Sequence, residues 1–315
     1  MSVRRSTGRS KLTNFYRAKP VLYVMLRLRT NRNSIAPVFE RDHSTVRSKA
    51  FVGERQLGKM IVILLFVLAG ATTGQAQTET FAVDGWERQA IVYANSKPTP
   101  GKSAPVVFVF HGHGGTAVNV ARRFRIQELW PEAVVVYMQG IPGIVGITDK
   151  EGKQNGWQKS PGEVGDRDIK FFDAALARMQ QKYRTDPNRV YVLGHSNGGR
   201  FVNVLWNMRG DRLAALCSGA GPGGRLVENA LPKPVYIIAG ENDQLVPFQG
   251  QQLSIELTRK RLKTDPSKAK VNGLERTEPG VNGTELVTYI HPGGHQFPVE
   301  ALAGVVKFFE RHIRK

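Results

Sequence analysis

The residues with the clearest chemical meaning form the run GHSNGG at positions 194–199. This run has the pattern Gly-x-Ser-x-Gly, and it stands between the strand-like run Val190–Leu193 and a helical pattern. In a strand–turn–helix of this kind the turn is so tight that side chains at Gly194 and Gly198 would collide with neighbouring elements. An ordinary tight turn is the alternative, but this context favours Ser196 as a nucleophile exposed at the start of a helix.

A serine hydroxyl needs a base, and the base needs an acid that orients it. In hydrolases with this turn, the acid and the histidine follow the serine in that chain order. Asp243 comes shortly after the apolar run Val235–Ala239, and Glu241 in the same loop is the rival acid. His295 follows two glycines after the run Leu286–Ile290, in a loop that can carry its imidazole to the serine. We predict Asp243 and His295 as the partners, with a loop carboxylate and a structural histidine as the alternatives.

Acyl transfer also requires N–H donors for the negative charge that develops on the carbonyl oxygen. The run HGHGG at 111–115 follows a strand-like run and is rich in glycine, as an oxyanion loop is. The backbone N–H groups of His113 and Asn197 are the predicted donors. Gly112 and Gly114 are predicted to border the substrate.

Two other features leave alternatives open. The spacing of His111 and His113 permits a metal pair, but such a site needs a third ligand, and a metal does not explain the glycines. We therefore predict neither a metal nor a cofactor. Trp157, in the loop at 152–165, is predicted either to border the acyl pocket or to pack as an ordinary core aromatic.

Runs of strand length alternate with helical patterns after residue 89, which predicts a mostly parallel sheet with helices on both faces. Sites in such sheets form at the carboxyl ends of the strands. The expected strands are Ala90–Tyr93, Val106–Phe110, Val134–Tyr137, Val190–Leu193, Ala214–Cys217, Val235–Ala239 and Leu286–Ile290. The expected helices are Ile169–Tyr183, with Asp166 or Asp168 as its cap, Phe201–Met208, Leu253–Leu262 and Val299–Ile313.

The net charge of +19 is unevenly distributed, because residues 1–59 alone contribute +11. That segment has no sustained apolar period, which predicts disorder or a start codon placed too early, with Met60 as the true start. No nucleic-acid-binding module follows it, so we predict no nucleic-acid partner. The 12-residue apolar run 60–71 follows Lys59 and is too short to span a membrane.

This run, with small residues before Gln77, predicts a secretory signal at 60–76, and hence a secreted or periplasmic protein without a stable membrane anchor. An uncleaved anchor and a buried core helix are the alternatives. The remaining segment, 77–315, suits a single α/β domain. The single cysteine, Cys217, excludes an internal disulfide, so the core must suffice.

From about Val83 to Ile313 the chain resembles the polyhydroxybutyrate depolymerase and feruloyl-esterase-like branch of the α/β-hydrolases. The resemblance implies a hydrolase acting on esters through Ser196, Asp243 and His295. Relatives often have cysteine where this chain has His113, and the chain lacks paired cysteines and an appended polymer-binding module. The matching stretches are 83–88 (VDGWER), 111–112 (HG), 156–158 (GWQ), 166–168 (DRD), 186–191 (DPNRVY), 194–199 (GHSNGG) and 293–295 (GGH).

These features together predict an exported serine esterase that forms an acyl-enzyme. Its expected substrates are soluble hydroxyalkanoate oligomers or feruloyl and acetyl esters of polysaccharides. A serine peptidase of the same fold is the alternative among enzymes. A catalytically inactive binding protein on the same scaffold is the alternative outside them, and the intact triad disfavours it.

Overall fold

The computed structural model describes residues 76–94 and 101–314. The basic segment 1–59 lies outside the described residues, and so does the predicted signal except for Ala76. Ala76 is the first residue of strand β1, where it pairs with Tyr93 of β2. The predicted cleavage point therefore falls at the first residue of a strand.

A ten-stranded sheet runs through the described part of the chain, in the order β1-β2-β4-β3-β7-β8-β9-β12-β11-β10. The six strands from β4 to β12 in that order are parallel, and the two strands at each edge are antiparallel. Strands β5 and β6 form a separate two-stranded pair. The bounds are β1 Ala76–Val83, β2 Trp86–Tyr93, β3 Ala104–Phe110, β4 Val134–Met138, β5 Ile141–Pro142, β6 Asn155–Gly156, β7 Thr185–His195, β8 Ala215–Gly219, β9 Val235–Gly240, β10 Lys270–Asn272, β11 Glu275–Pro279 and β12 Glu285–His291.

Helices cover both faces of the sheet, as the sequence predicts, and they bury two separate apolar layers. Helices α3, α4 and α5 pack on one face, and α1, α2 and α6 pack on the other. No helix within 76–94 or 101–314 is long and apolar enough to span a membrane. The bounds are α1 Ala117–Phe124, α2 Ile126–Leu129, α3 Arg167–Tyr183, α4 Asn197–Arg209, α5 Phe248–Leu262 and α6 Leu302–Glu310.

All seven predicted strands and four predicted helices are present, with shifted ends. The last helix is shorter than expected, because 299–301 form a 3₁₀ turn and the helix ends at Glu310. Strands β1, β5, β6, β10 and β11 and helices α1 and α2 were not predicted. In β1 the last five residues alternate buried and exposed side chains, which is a strand signal, and Thr116 caps α1 by accepting from the N–H of Asn119.

The predicted cap of α3 is wrong. Asp166 occupies the cap position with φ 56°, but its side chain makes no capping hydrogen bond. Its carboxylate instead accepts from Gln158 Nε2 at 2.7 Å and from the N–H of Gly162 at 2.8 Å. Asp168 is also occupied elsewhere, because it pairs with Arg88 at 2.9 Å in a fully buried ion pair. Asp166 thus holds the segment before α3, and Asp168 ties the first turn of α3 to β2.

Candidate active site

The nucleophile turn joins β7 directly to α4. Ser196 has φ 56° and ψ −120°, a strained backbone conformation that side-chain-bearing residues rarely adopt. A Cβ at Gly194 would lie 2.3 Å from the carbonyl oxygen of Gly198, and a Cβ at Gly198 would lie 2.4 Å from that of Phe110. The collisions expected from the sequence are therefore real. The N–H of Ser196 donates to the carbonyl of Gly219 at 2.7 Å, which fixes the turn against the next strand.

Three side chains from three strand ends meet above this turn. Ser196 Oγ lies 2.8 Å from Nε2 of His295, and Nδ1 of His295 lies 2.8 Å from Oδ2 of Asp243. Ser196 directly follows β7, Asp243 is the third residue after β9, and His295 is the fourth after β12. Glu241, the rival acid, is exposed, and its backbone N–H donates to the carbonyl of His291. The structure thus brings together the three residues expected to form a triad.

The Asp243 carboxylate is buried and held in place by hydrogen bonds. Oδ1 accepts from the N–H groups of Leu245 at 2.9 Å and Val246 at 2.8 Å, and Oδ2 accepts from Gln251 Nε2 at 3.1 Å. Burial raises the pKa of Asp243, but these donors and His295 outweigh it, so the net pKa is lowered. An ionised carboxylate at Nδ1 orients the imidazole with its Nε2 toward the serine.

The two expected oxyanion donors belong to the loop after β3 and to the first residue of α4. In the loop after β3, the N–H of Gly114 donates to Asn155 at 2.7 Å and that of Gly115 donates to Gly112 at 3.0 Å. The N–H of His113 donates to no described residue. Asn197 is the first residue of α4, where a backbone N–H has no partner inside the helix. Both N–H groups are available to a substrate oxygen.

His111 is a structural residue. Its Nε2 accepts from the N–H of Gly140 at 2.9 Å, and its Nδ1 lies 2.7 Å from the carbonyl of Gly112. Burial lowers the pKa of His111 to about 4, so the ring is neutral and carries its proton on Nδ1. Because the Nε2 lone pair is used by a backbone donor, no ring nitrogen of His111 remains for a metal, which removes the metal-pair alternative.

Trp157 and Gly114 do not line the substrate cavity. Trp157 is fully buried between Phe110 and Phe201, and its Nε1 donates to the carbonyl of His111 at 2.9 Å. The packing alternative for Trp157 is therefore the right one. Gly114 lies behind the lining residue Gln154, because a Cβ at Gly114 would lie 2.7 Å from Oε1 of Gln154.

A cavity of about 680 Å³ opens in front of Ser196. Its lining combines the predicted Gly112, His113 and Asn197 with residues that sequence reasoning did not assign to the site. The lining residues are Gly112, His113, Val145, Gly146, Ile147, Thr148, Gln154, Lys159, His195, Ser196, Asn197, Arg200, Ala220, Gly221, Pro222, Leu245, Val246, Pro247 and His295.

Contacts around the expected triad involve further side chains of the lining. His195 lies beside His295 with ring centroids 5.1 Å apart, and burial lowers its pKa to about 3, so it adds no charge beside the base. The side chain of Asn197 accepts from the N–H of Trp157 at 2.7 Å and donates to the carbonyls of Trp157 and Val145. Helical spacing alone, four residues after Ser196, could have identified Arg200. No sequence signal identifies the Gln251 contact.

Comparison with known proteins finds similarity to hydrolases. Residues 149–223 match the model of the prolyl oligopeptidase family, a segment that contains Ser196 but neither Asp243 nor His295. The proposed esterase NocK of Nocardia uniformis subsp. tsuyamanensis is 28% identical over 207 residues, 62% of this chain and 54% of that protein. Feruloyl esterase B of Piromyces equi is 26% identical over 172 residues, 52% of this chain and 30% of that protein. The chain thus spans about half the length of the first relative and less of the second.

Solved structures give a wider match. An acetyl xylan esterase from Aspergillus awamori aligns with a TM-score of 0.57 at 13% identity, covering 74% of this chain and 99% of that one. A ferulic acid esterase aligns with a TM-score of 0.56 at 17% identity, covering 75% and 98%. The acylaminoacyl peptidase of Pyrococcus horikoshii aligns with a TM-score of 0.54 at 14% identity, covering 77% of this chain and 42% of that one. The chain has the α/β-hydrolase fold.

Proposed function

We propose that this chain is a serine esterase that hydrolyses carboxylic esters through a covalent acyl-enzyme. The observation that carries the proposal is the unbroken line of contacts from Ser196 Oγ through His295 to Asp243, with both distances at 2.8 Å. The strained turn holds Ser196 at the edge of a cavity, and an ester bound in that cavity can reach the three side chains.

In the first half of the reaction, Nε2 of His295 takes the hydroxyl proton while Oγ of Ser196 attacks the ester carbonyl. The N–H groups of His113 and Asn197 hold the oxyanion. The bond to the alcohol then breaks, and the leaving oxygen takes the proton from His295. In the second half, water gives a proton to His295 and attacks the acyl group. The acid leaves, and Ser196 recovers its proton.

The proposal also includes the class of ester. Relatives named as feruloyl and acetylxylan esterases support esters attached to polysaccharides. The resemblance to polyhydroxybutyrate depolymerases supports soluble hydroxyalkanoate oligomers. A cavity of about 680 Å³ accommodates either class, because small-molecule sites generally span 300–1,000 Å³.

Peptide hydrolysis is the second candidate. The match to the prolyl oligopeptidase family over 149–223 and the structural likeness to an acylaminoacyl peptidase favour it. Rates on matched ester and anilide substrates with the same acyl group separate the two. An esterase cleaves the ester and leaves the anilide almost untouched, whereas a peptidase cleaves both.

We also infer that the protein is exported, from the basic flank and the apolar run before Gln77. Mass spectrometry of exported material should then find an N-terminus near Gln77. Peptides from 1–59 in that material would overturn the inference.

The test of the esterase proposal is hydrolysis of p-nitrophenyl acetate by the purified protein, Ser196→Ala and the exposed control Ser103→Ala. We expect Ser196→Ala to lose about 10⁴-fold or more in kcat while remaining folded, and Ser103→Ala to match the parent. A chelator should leave the rate unchanged. Turnover that survives Ser196→Ala, or that a chelator abolishes and zinc restores, would refute the proposal.

A further inference from the structure

The cavity carries positive charge that the acyl-transfer steps do not use. Its charged lining consists of Lys159 and Arg200, and no aspartate or glutamate of the described chain lines it. Lys159 pairs with Glu163 at 3.4 Å. Arg200 forms no ion pair with any described residue, so it is the uncompensated cation of the cavity.

The guanidinium of Arg200 is fixed by backbone carbonyls. Nε donates to Lys159 at 2.9 Å, and Nη1 donates to Pro222 at 2.7 Å and to Gly223 at 2.6 Å. These three bonds leave the two N–H groups of Nη2. Nη2 donates to no residue in 76–94 or 101–314, and it is not sealed from solvent. Arg200 therefore presents an oriented pair of free donors.

The electrostatic environment of Arg200 favours an incoming anion. Burial lowers the pKa of Arg200, and the one carboxylate that acts against this effect is Glu163, which is already paired with Lys159. An arginine remains charged in a protein. A half-buried cation without a counter-ion is unfavourable, and a charge-assisted hydrogen bond from an oriented guanidinium to a carboxylate relieves that cost.

Arg200 and Ser196 are neighbours on α4 and share one cavity. It lies four residues after Ser196 on α4, and its N–H donates to the carbonyl of Ser196 at 2.8 Å. Four residues correspond to a rise of about 6 Å along a helix. Both residues line the same cavity. An anion bound at Nη2 and an ester at Ser196 would therefore share one cavity.

We propose that Arg200 binds a carboxylate of the substrate, so that the enzyme prefers esters that carry a free carboxylate a few bonds from the scissile carbonyl. The preference rests on the proposed esterase function. The carboxylate can belong to the alcohol part, as at the end of a hydroxyalkanoate oligomer, or to the acyl part, as in a half-ester of a dicarboxylic acid. Both share the chemistry that Nη2 recognises.

Two matched pairs of substrates test the proposal and distinguish these sources. For the alcohol part, the pair is 3-acetoxybutanoate and 3-acetoxybutanamide. For the acyl part, it is monoethyl glutarate and the ethyl ester of glutaramic acid. In at least one pair we expect kcat/KM to be about ten- to hundredfold higher for the charged member, the range of a charge-assisted hydrogen bond. A ratio near one in both pairs would overturn the proposal.

Variants attribute the preference to Arg200. Arg200→Gln should reduce the charged-to-neutral ratio to within about threefold of one, and Arg200→Lys should retain part of it. Arg212→Gln, an exposed change of equal charge, should leave the ratio as in the parent. A ratio that Arg200→Gln leaves intact, or that Arg212→Gln lowers equally, would assign the effect to overall charge and refute the assignment.

Binding in an inactive background separates this proposal from the esterase proposal. Calorimetry with Ser196→Ala and 3-acetoxybutanoate or monoethyl glutarate should show binding that the amides lack and that Arg200→Gln removes. Such binding, together with a parent protein that hydrolyses no ester, would sustain the carboxylate site and refute the esterase proposal. Equal affinity for acid and amide would refute the carboxylate site whatever the turnover.

Discussion

The two sides of the cavity are built in different ways. On the catalytic side, Ser196, Asp243 and His295 each follow a parallel strand by no more than four residues. On the other side, the loop wall, defined as residues 143–160, contains only the short strand β6 and contributes several residues to the cavity lining. The catalytic side is fixed by the sheet itself, whereas the loop wall depends on side chains that reach across the fold.

Those long-range contacts are few and buried. The amide of Asn197 bonds to Val145 and to both backbone groups of Trp157. The N–H of Gln158 donates to Asp168 at 2.8 Å. The strand ends of the sheet therefore fix the positions of Ser196, Asp243 and His295. The loop wall shapes the cavity, and it is held by separate polar contacts. The two sides should respond differently to mutation.

The largest expected effect lies on the catalytic side. Asp243→Asn removes the charge that orients His295 and should lower kcat by about 10⁴-fold with little change in the fold. Glu241→Gln, an equivalent change at an exposed acid of the same loop, is the control. Kinetics on one p-nitrophenyl ester compare the two. A severe loss in Glu241→Gln together with a mild one in Asp243→Asn would assign the orienting acid to Glu241.

Mutations in the contacts that support the loop wall should lower the free energy of unfolding. Asp168→Asn leaves Arg88 buried without its partner, which should lower the free energy of unfolding by about 3–5 kcal/mol. Asp84→Asn breaks an exposed pair with Lys170 and should cost about 0–1 kcal/mol. Urea denaturation measures both. Equal losses in the two variants would show that the buried pair contributes no more than a surface pair.

Low pH should destabilise the protein through His111, whose Nε2 accepts a hydrogen bond from the N–H of Gly140 just before the loop wall. The pKa of His111 is about 4 in the folded protein against 6.5 ordinarily, so the unfolded chain binds more protons between these values. Stability is therefore fully present above pH 6.5 and declines as the pH falls toward 4, by about 3 kcal/mol from this residue.

Denaturation at several pH values, with the parent and His111→Gln, measures this slope. The variant should lose less stability over the window from pH 6.5 to 4. His195, with a pKa of about 3, contributes in the same direction and remains in both proteins. An identical slope in the two proteins would contradict a buried neutral His111.

The smallest effect is expected at the rim of the loop wall. Ile147 lines the cavity and is 67% exposed, so Ile147→Ala should change the free energy of unfolding by less than about 0.5 kcal/mol and kcat/KM by a few-fold, mainly through KM. Val145 is fully buried in the same wall, and Val145→Ala should cost more than about 1 kcal/mol of stability. Equal losses of stability in the two variants would mean that the buried Val145 holds the loop wall no more than the exposed Ile147 does.

The difference between the two sides also explains what the sequence could predict. The meeting of Ser196, Asp243 and His295 was predictable because their spacing after apolar runs indicates strand ends, and parallel strands bring those ends together. The parallel sheet was predictable for the same reason. Gly194 and Gly198 signal a turn that excludes side chains, and the backbone collisions at both positions agree.

The loop wall could not be predicted in this way. Trp157 stands in a polar, glycine-rich loop, yet it enters the core because Phe110 and Phe201, distant in sequence, form its site. Asp166 precedes a helix as a cap would, but Gln158 and Gly162 take its carboxylate. Such contacts form only when segments distant in sequence pack together, and local sequence patterns do not encode that packing.

Covalent labelling at Ser196 tests the central claim most directly. The protein should react with a fluorophosphonate in a single stoichiometric step, and peptide mapping by mass spectrometry should locate the adduct on Ser196. Ser196→Ala should remain unlabelled, and labelling should abolish ester hydrolysis in the parent. An adduct on another residue, or ester hydrolysis that continues in the fully labelled protein, would contradict the assignment of Ser196 as the nucleophile.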